Sequence, residues 1–379
     1  MEKIIKKIFT LCFLLTFIIF GIITLLDAYK KDTIINIMYN SDEIFIDNMT
    51  PNTKRILLFP RYCWNKLLNK RFYFDDSTYI TKDKNIIKGS HNEENLEFSI
   101  NNIKKINDYA KKNKINFLYV ILPGKPLYDE ELTNKNISCY RNKNADNFIK
   151  ELKNNSIPYI DLRDSFRKSK ENPYDWFYKT DHHWNSDAGL EAARLITNEL
   201  NNKYKLKLNS ENLKPSKFER KVYQNYWVGE NGNKIYGSEL EKEDFIVNIP
   251  SYRNHISVNN ETTNIKEEGD FSVLLNEKRL KEYDVFKEGS LYYYYLSYNE
   301  YIVDIKNHNN KNGNILYIKD SYSTVVIPFL ALSASHITSW DIRSGSNLYS
   351  YLNSHKKYDT IIVAYTISSI PKDSMNDFK

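Results

Sequence analysis

The chain has 379 residues, and its 54 lysines and arginines only slightly exceed its 48 aspartates and glutamates, which gives a net charge of +6 at pH 7. So small an excess over so long a chain argues against a nucleic-acid-binding protein. Three cysteines, of which Cys12 lies in an apolar segment, are too few for a disulfide framework or a cysteine zinc site. A single bridge between Cys63 and Cys139 is left open, so packing must supply most of the stability.

An almost unbroken apolar run occupies residues 8–26. Its length is close to the roughly 20 residues that a helix needs to cross a bilayer. Three lysines precede it, which favours a cytoplasmic N-terminus. A cleaved signal peptide is the alternative, but the run is longer than the usual apolar part of such a peptide, and no small-residue cleavage site follows it. We predict a cytoplasmic tail over residues 1–7, a single transmembrane anchor over residues 8–26, and a remainder on the outer side of the cell membrane.

Residues 27–89 are irregular and polar with scattered aromatic side chains, which is typical of a stalk and a packed lead-in. A regular pattern follows, in which apolar residues recur at helical spacing over 96–110 and a continuous β-branched and aromatic run occupies 115–122. A second helical pattern then precedes a short strand pattern over 157–162. We predict that this pattern opens the main domain, residues 90–379.

The most distinctive local sequence is the loop 179–189, KTDHHWNSDAG, which runs directly into a helical pattern. Asn185 or Ser186 can cap that helix, so the loop is held at a rigid helix start. Asp181 and His183 can face the same side of an extended segment, where a carboxylate fixes the tautomer of an imidazole and stabilises its protonated form. The pair therefore predicts an acid-base site. A structural cluster, or a metal site that uses both histidines, are the alternatives, although the sequence suggests no further ligands.

The alternation of helix and strand lapses over about residues 210–310 into polar, turn-rich sequence with short strand candidates. One candidate is 291–296, which holds four consecutive tyrosines. Gly229, Gly232 and Gly237 are interleaved with aromatic residues, which suggests a loop at the border of a cleft, with an ordinary surface turn as the alternative. We predict an insertion of mixed β character here, within the main domain.

A second chemical signal follows the insertion, where a strand pattern over 315–318 leads into the residues KDSY at 319–322 and then into a helical pattern. A serine in a strand-to-helix turn lies exposed at the carboxyl edge of a sheet, where ligands of open α/β folds bind. Backbone N–H groups at the following helix start can form part of an oxyanion hole. An Asp-Ser pair alone is common in turns, but together with the Asp-x-His loop it predicts a triad of Ser321, His183 and Asp181, without metal or cofactor.

Strand patterns over 336–340 and 360–364 complete the alternation toward the C-terminus, with a short helix between them. Alternation of this kind indicates a parallel sheet that is covered by helices on both faces. The predicted fold class is therefore α/β.

Six short segments together carry a family resemblance: LPGK at 122–125, YIDL at 159–162, TDHHWN at 180–185, KDSY at 319–322, VIPFLA at 326–331 and WDIR at 340–343. Over about residues 103–365 the chain resembles the bacterial DHHW proteins, which are similar to the alginate O-acetyltransferases of the SGNH-hydrolase superfamily. The resemblance implies a flavodoxin-like SGNH-hydrolase sheet with Ser321 as nucleophile, His183 as general base and Asp181 as its orienting partner. It also implies a polysaccharide acceptor and an acetyl donor supplied by a membrane-bound acyltransferase.

The sequence departs from the superfamily pattern at the oxyanion hole. Lys319 stands where the Gly-Asp-Ser block has glycine, and no match to the superfamily's oxyanion glycine and asparagine blocks can be placed. The backbone N–H of Ser321 is then the oxyanion donor that we predict.

Two cations follow predicted strand ends on the edge that carries Ser321, namely Lys125 and Arg343. Each can bind an anionic sugar or stabilise developing charge, and a solvated surface cation is the alternative for each. Further candidates for substrate contact are His182, Trp184, Tyr322 and Trp227, of which the tryptophans would form an aromatic wall of the cleft.

These residues predict acyl transfer in two steps, in which Ser321 takes an acetyl group from a donor and a glycan hydroxyl then removes it. The predicted protein is an extracytoplasmic polysaccharide O-acetyltransferase. A glycan acetylesterase with the same triad, and a non-catalytic glycan-binding or assembly protein with the same fold, are the alternatives.

Overall fold

The computed structural model describes residues 77–234, 242–260, 264–283, 290–296, 302–354 and 358–378, together with Leu15, Ile18 and Ile19. The predicted tail, most of the predicted anchor and most of the predicted stalk lie outside these residues. Leu15, Ile18 and Ile19 are helical and exposed. Within the described ranges, no helix is both long and apolar enough to cross a membrane. The anchor over residues 8–26 therefore stays a prediction.

The strands in chain order are β1 (Thr78–Ile80), β2 (Ile86–Lys88), β3 (Asn116–Leu122), β4 (Tyr159–Asp161), β5 (Phe218–Trp227), β6 (Glu243–Pro250), β7 (Ile256–Asn260), β8 (Ile265–Gly269), β9 (Ile302–Asn307), β10 (Asn314–Lys319), β11 (His336–Asp341) and β12 (Thr360–Thr366). The α-helices in chain order are α1 (Glu97–Lys112), α2 (Glu130–Thr133), α3 (Arg141–Asn154), α4 (Arg163–Lys168), α5 (Ser186–Tyr204), α6 (Glu230–Lys234), α7 (Glu277–Lys281), α8 (Val326–Ala331), α9 (Leu348–Ser354) and α10 (Asp373–Asn376).

A central sheet is built in the strand order β4-β3-β12-β10-β11-β9-β7-β8. The first five strands in this order run parallel to one another. Strands β9, β7 and β8 continue the sheet in antiparallel fashion beyond β11. The prediction of an α/β fold around a mostly parallel sheet is confirmed. Because parallel strands end at the same side, the carboxyl ends of β3, β10, β11 and β12 share one edge.

Both faces of the sheet are covered by helices. Alternate side chains of β3 enter two different hydrophobic cores, one of them holding Leu118, Val120 and Leu122 and the other Phe117, Tyr119 and Ile121. Helices α5 and α8 supply side chains to the first core, and α1 and α3 supply the second. A strand that is buried on both faces reads as a continuous apolar run, which is why β3 could be recognised in the sequence.

The predicted insertion contributes a separate hairpin as well as strands of the central sheet. Strands β5 and β6 form a two-stranded antiparallel sheet, whereas β7, β8 and β9 extend the central one. The prediction of a strand over 291–296 is wrong, because Leu291–Tyr294 is a 3-10 helix that Ser290 caps by accepting a hydrogen bond from Tyr292 N–H. A short apolar and aromatic run fits a buried strand and a buried helical turn equally well, so periodicity could not separate them.

The hairpin of β1 and β2 lies in the predicted lead-in and contacts the loop before α5. Ile86 N–H donates to Lys179 O at 2.8 Å. Cys139 is a buried free thiol with its Sγ 3.2 Å from Asp129 Oδ1, and Cys63 lies outside the described residues.

Candidate active site

The serine turn follows β10 at the carboxyl edge of the sheet. Ser321 opens a 3-10 helix, Ser321–Thr324, and Asp320 caps it by accepting from Tyr322 N–H at 3.0 Å. The other oxygen of the same carboxylate accepts from Thr366 N–H at 2.7 Å. Asp320 therefore fixes the conformation of the turn and ties it to the end of β12.

The loop before α5 brings the imidazole of His183 to this serine. His183 Nε2 lies 2.9 Å from Ser321 Oγ, and His183 Nδ1 lies 2.6 Å from Asp181 Oδ1. Asp181 and His183 are buried, whereas Ser321 is partly exposed. If Nδ1 carries the proton and donates it to the carboxylate, Nε2 is free to accept the proton of Ser321. The three predicted side chains thus form one hydrogen-bonded chain, and the contact with the serine is made by His183.

Asp181 lies in a setting that keeps it ionised. Burial opposes ionisation, but His183, His182 and a hydrogen bond from Glu230 N–H at 2.8 Å outweigh it and hold the pKa of Asp181 well below its usual range. The backbone N–H of His183 also donates to Asp181, at 2.9 Å. A carboxylate that stays charged can stabilise the imidazolium that forms when His183 takes a proton.

The glycine-rich segment packs directly against this part of the loop. A Cβ atom at Gly229 would lie 2.4 Å from the Cβ of Asp181, so a side chain there would collide with the carboxylate residue. Gly229 N–H donates to Thr180 Oγ1, and Gly232 N–H donates to Thr180 O, each at 2.7 Å. Gly229 and Gly232 therefore lie where the loop was predicted to border the site, and Gly237 is outside the described residues.

Tyr292 is a site residue that the sequence did not reveal. Its ring stacks on that of His183 with centroids 3.8 Å apart and 12° between the planes. Its hydroxyl donates to Tyr322 O at 2.8 Å. The stack therefore fixes the plane of the imidazole and ties it to the serine turn. The four tyrosines were a visible signal, but assigning them to a strand gave no means of choosing the one that reaches His183.

Lys125 and Glu243 both bind the backbone of the loop before Asp181. Lys125 Nζ donates to Tyr178 O at 2.7 Å and to Lys179 O at 3.3 Å. Glu243 accepts from Lys179 N–H at 2.6 Å and from Thr180 N–H at 2.7 Å. Burial lowers the pKa of Lys125 to about 8. The prediction of an accessible cation at Lys125 is wrong, because its ammonium group is buried and bound by backbone carbonyl groups.

Glu243→Gln should loosen this loop. One carboxylate oxygen becomes an NH2 group, which cannot accept a hydrogen bond, so a backbone donor of Lys179 or Thr180 loses its partner. We expect the free energy of unfolding to fall by about 1–3 kcal/mol and turnover to fall with it, since Asp181 follows directly. Urea unfolding and an activity assay measure both effects. Glu267→Gln, on the exposed part of β8, is the matched control, and equal effects of the two variants would contradict the assignment.

The prediction that Trp184 and Trp227 form an aromatic wall of the cleft is wrong. Both side chains are fully buried, so neither offers a surface to a substrate. Trp184 donates its Nε1–H to Tyr322 O at 2.9 Å and so supports the serine turn from inside. Trp227 packs edge-on against the rings of Tyr178 and Phe245, which stack on each other. Both tryptophans therefore belong to the core beneath the site.

His182 and Tyr322 meet beside the triad. Tyr322 is buried, and its hydroxyl donates to His182 O, so the phenol supports the histidine loop instead of facing a substrate. The side chain of His182 is 40% exposed, with Nδ1 3.8 Å from Glu230 Oε2. Burial, followed by the proximity of His183, lowers the pKa of His182 below its ordinary value. His182 stays a candidate for substrate contact, as a neutral imidazole with an exposed face.

Arg343 joins a buried ion-pair group at the ends of β10 and β11. Asp341 Oδ2 lies 3.0 Å from Lys319 Nζ and 2.7 Å from Arg343 Nη2. The side chains of Asp341 and Lys319 are fully buried, and that of Arg343 is 34% exposed. Lys319, at the position of the superfamily glycine, is thus a counter-ion of Asp341. The role of Arg343 in substrate binding stays a prediction.

The fold and the arrangement of these residues define an α/β domain with a Ser-His-Asp site at the carboxyl edge of its sheet. Residues 81–227 match the family model described as an SGNH hydrolase-like domain, acetyltransferase AlgX. The matched stretch includes Asp181 and His183 and ends before Ser321. The predicted resemblance to this group of proteins is confirmed.

Solved structures share the fold. Bacillus cereus PatB1 aligns with a TM-score of 0.64 and 22% identity over 79% of this chain and 98% of its own. A structure of the same protein with a sulfonyl adduct aligns with a TM-score of 0.62 and 21% identity over 79% and 99%. A DHHW family protein from Eubacterium siraeum aligns with a TM-score of 0.55 and 17% identity over 80% and 95%. No curated protein matches the sequence. At these identities the likeness to the solved structures establishes the fold.

Proposed function

We propose that the protein is a membrane-anchored, extracytoplasmic O-acetyltransferase that acts on a cell-surface or exported polysaccharide through an acyl-serine intermediate. The observation that carries the proposal is the hydrogen-bonded chain from Ser321 Oγ through His183 to Asp181. The match of residues 81–227 to a domain of an acetyltransferase supports acetyl as the group that is transferred. The apolar run over residues 8–26 supports the anchor.

In the first half-reaction, His183 Nε2 accepts the hydroxyl proton of Ser321 while Oγ attacks the carbonyl carbon of the acetyl donor. Asp181 holds the Nδ1–H and stabilises the imidazolium. When the tetrahedral intermediate collapses, the imidazolium passes its proton to the departing group of the donor, and acetyl-Ser321 remains. In the second half-reaction, His183 removes the proton of a glycan hydroxyl, whose oxygen attacks the acetyl carbon, and the proton then returns to Ser321 Oγ.

Negative charge develops on the acetyl oxygen in both half-reactions and needs a hydrogen-bond donor. At the serine turn, the side chain of Asp320 accepts from Tyr322 N–H, and its carbonyl group accepts from Ser323 N–H. Among the contacts of the described residues, the N–H of Ser321 has no acceptor. We assign this N–H to the oxyanion, as the sequence predicts.

The triad would serve hydrolysis as well as transfer, so the choice between them rests on the acceptor. An anchor would hold the domain near a growing or exported polymer and raise the effective concentration of glycan hydroxyls around acetyl-Ser321. A membrane-bound acyltransferase is the partner that we propose for delivery of the acetyl group. Transfer then exceeds hydrolysis only when a bound glycan places its hydroxyl better than water.

His183→Ala should abolish acylation of Ser321, whereas His182→Ala should leave most of it. Of the two histidines, His183 is the one that contacts the serine, and removal of the base of such a triad lowers turnover by roughly 10⁴-fold or more. Because PatB1 has been seen with a sulfonyl adduct, an aryl sulfonyl fluoride is a suitable probe. Mass spectrometry should find one label per chain, on Ser321, in the wild-type protein and in His182→Ala. Labelling that is lost in His182→Ala and kept in His183→Ala would reverse the assignment.

The function itself is tested by following two products. The full-length protein in detergent is given an activated acetyl ester, with and without oligosaccharides from the envelope of the producing cell, and acetate and acetylated sugar are quantified separately. Acetylated sugar whose formation requires Ser321 supports transfer. Acetate as the only product with every acceptor, with release of acetate from pre-acetylated polymer, would make the protein an esterase. Binding of oligosaccharide without Ser321-dependent turnover would make it a glycan-binding protein.

A further inference from the structure

Three side chains with metal-binding atoms meet on the antiparallel part of the central sheet. His255 directly precedes β7, Glu268 lies on β8, and His308 directly follows β9. Glu268 is the register partner of Ser257, and His308 N–H donates to His255 O at 2.9 Å. Residues that are opposite each other in antiparallel strands, or two apart along one strand, share a face of the sheet. The three side chains therefore lie on one face.

Their potential ligand atoms all lie within 4.8 Å of one another. His255 Nε2 is 2.8 Å from Glu268 Oε1, and the rings of His255 and His308 have centroids 4.6 Å apart. A tetrahedral zinc ion with bonds of about 2.0–2.1 Å needs ligand atoms that are about 3.3 Å apart. The His255–Glu268 pair would open by roughly 0.5 Å, and His308 would move inward by at most roughly 1.5 Å, which side-chain rotation can supply.

The backbone around the two histidines is already held in place. His255 N–H donates to Asn309 Oδ1 at 2.7 Å, beside the backbone hydrogen bond between His308 and His255. The side chains of His255 and Glu268 are 49% and 62% exposed, so an ion in solution can reach them. Among the described residues, the hydrogen-bond partner of His308 Nε2 is the hydroxyl of Ser257, at 3.0 Å, which a metal ion can displace.

We propose that His255, Glu268 and His308 bind one zinc ion, with water as its fourth ligand, and that the ion cross-links β8, β7 and β9. Two imidazole groups and one carboxylate are a donor set that suits Zn²⁺. The site shares no residue with the triad. It lies instead where the three antiparallel strands that extend the sheet come together, so cross-linking these strands is the role that its position supports.

The test uses the full-length protein after removal of metal by a chelator. Competition with a chromogenic chelator should show one Zn²⁺ bound per chain in the wild-type protein. Glu268→Gln and His308→Ala should each weaken this binding by at least about tenfold, because loss even of a group that only orients a zinc ligand costs about 10–100-fold. Zn²⁺ should also raise the melting temperature of the wild-type protein and not that of His308→Ala. His91→Ala, which changes an exposed histidine outside the cluster, is the matched control.

Zinc binding at this cluster must be distinguished from binding at a second one, because the side chains of Asp181, His182 and His183 also bring potential metal ligands together. The same titration is therefore made with His182→Ala, which should bind Zn²⁺ as the wild-type protein does. Binding that is lost in His182→Ala and unchanged in His308→Ala would overturn the proposal, and so would the absence of any zinc binding. Turnover of an acetyl ester should be unchanged in Glu268→Gln, which keeps this outcome independent of the proposed function.

Discussion

Ser321→Ala is expected to lower acetyl transfer by roughly 10⁴-fold or more in kcat, because the covalent route that we propose, through acetyl-serine, is then closed. The oxyanion donor and the bound substrates remain, so a small residual rate above the uncatalysed one should persist. Stability should change little. Ser321 is partly exposed, and its Oγ contacts His183 alone among the described side chains. Loss of that single hydrogen bond is worth only about 0.5–1.5 kcal/mol.

The measurement is initial-rate kinetics with an activated acetyl ester and an oligosaccharide acceptor, with thermal melting in parallel. Ser350→Ala changes an exposed serine of α9 and is the matched control, for which both kcat and melting temperature should stay at the wild-type values. A kcat of Ser321→Ala within about tenfold of the wild-type value would be too high for a triad that lacks its nucleophile. It would remove Ser321 from the mechanism.

Asp341→Asn is expected to lower the free energy of unfolding by about 3–5 kcal/mol, a larger loss of stability than that of Ser321→Ala or Glu243→Gln. Burial opposes ionisation of Asp341, but Lys319 and Arg343 outweigh it and hold the pKa of the carboxyl below its ordinary value. Lys319 has a fully buried side chain. The amide removes the negative charge that lies 3.0 Å from this ammonium, and breaking a buried ion pair by neutralising one partner is strongly destabilising. Domains of this kind are stable by about 5–15 kcal/mol in all, so the loss is large.

Denaturant unfolding of four variants separates this effect from a general sensitivity to loss of an aspartate: the control Asp164→Asn, the two single variants Asp341→Asn and Lys319→Met, and their double variant. Asp164→Asn breaks ion pairs of α4 at the surface and should cost less than about 1 kcal/mol. Adding Lys319→Met to Asp341→Asn removes the buried ammonium charge and should restore part of the lost stability. A double-mutant cycle measures the interaction free energy of the pair. Equal losses in Asp341→Asn and Asp164→Asn would show that the pair of Asp341 and Lys319 is not the source of the effect.

The parallel core of the fold could be predicted because its strands are buried on both faces. β3, β10 and β12 read as continuous apolar runs, and amphipathic helices alternate with them. The hydrophobic period and the length of each segment therefore indicated the same element. The elements over about residues 210–310 could not be predicted from the sequence in this way. Strand β5 is largely exposed, and the buried Tyr292 and Tyr294 lie in a 3-10 helix that Ser290 caps. Local pattern does not show whether such a run pairs with a strand or packs as a turn.

Some contacts of the site could likewise be predicted from the sequence, and others could not. The contact between Asp181 and His183 is local, because the two residues share one loop, and it followed from their spacing. Their contact with Ser321 spans 138 positions, and it could be expected only because strand-to-helix turns of a parallel sheet share one edge. Tyr292 and Glu243 hold these residues from the region without regular periodicity. Nothing in the sequence near either residue indicates what it touches.

The sequence by itself determined the α/β class, the strand that carries the serine turn and the three side chains of the triad, since these depend on periodicity, spacing and the shared edge of parallel strands. Tertiary structure alone decided which polar and aromatic side chains face the solvent. Residue type suggests substrate contact for Lys125, Trp184 and Trp227, yet all three side chains are buried. The ammonium group binds carbonyl oxygens, and the two indoles fill the core. Exposure depends on what distant segments pack over a side chain, and a residue's type and position along the chain do not contain that information.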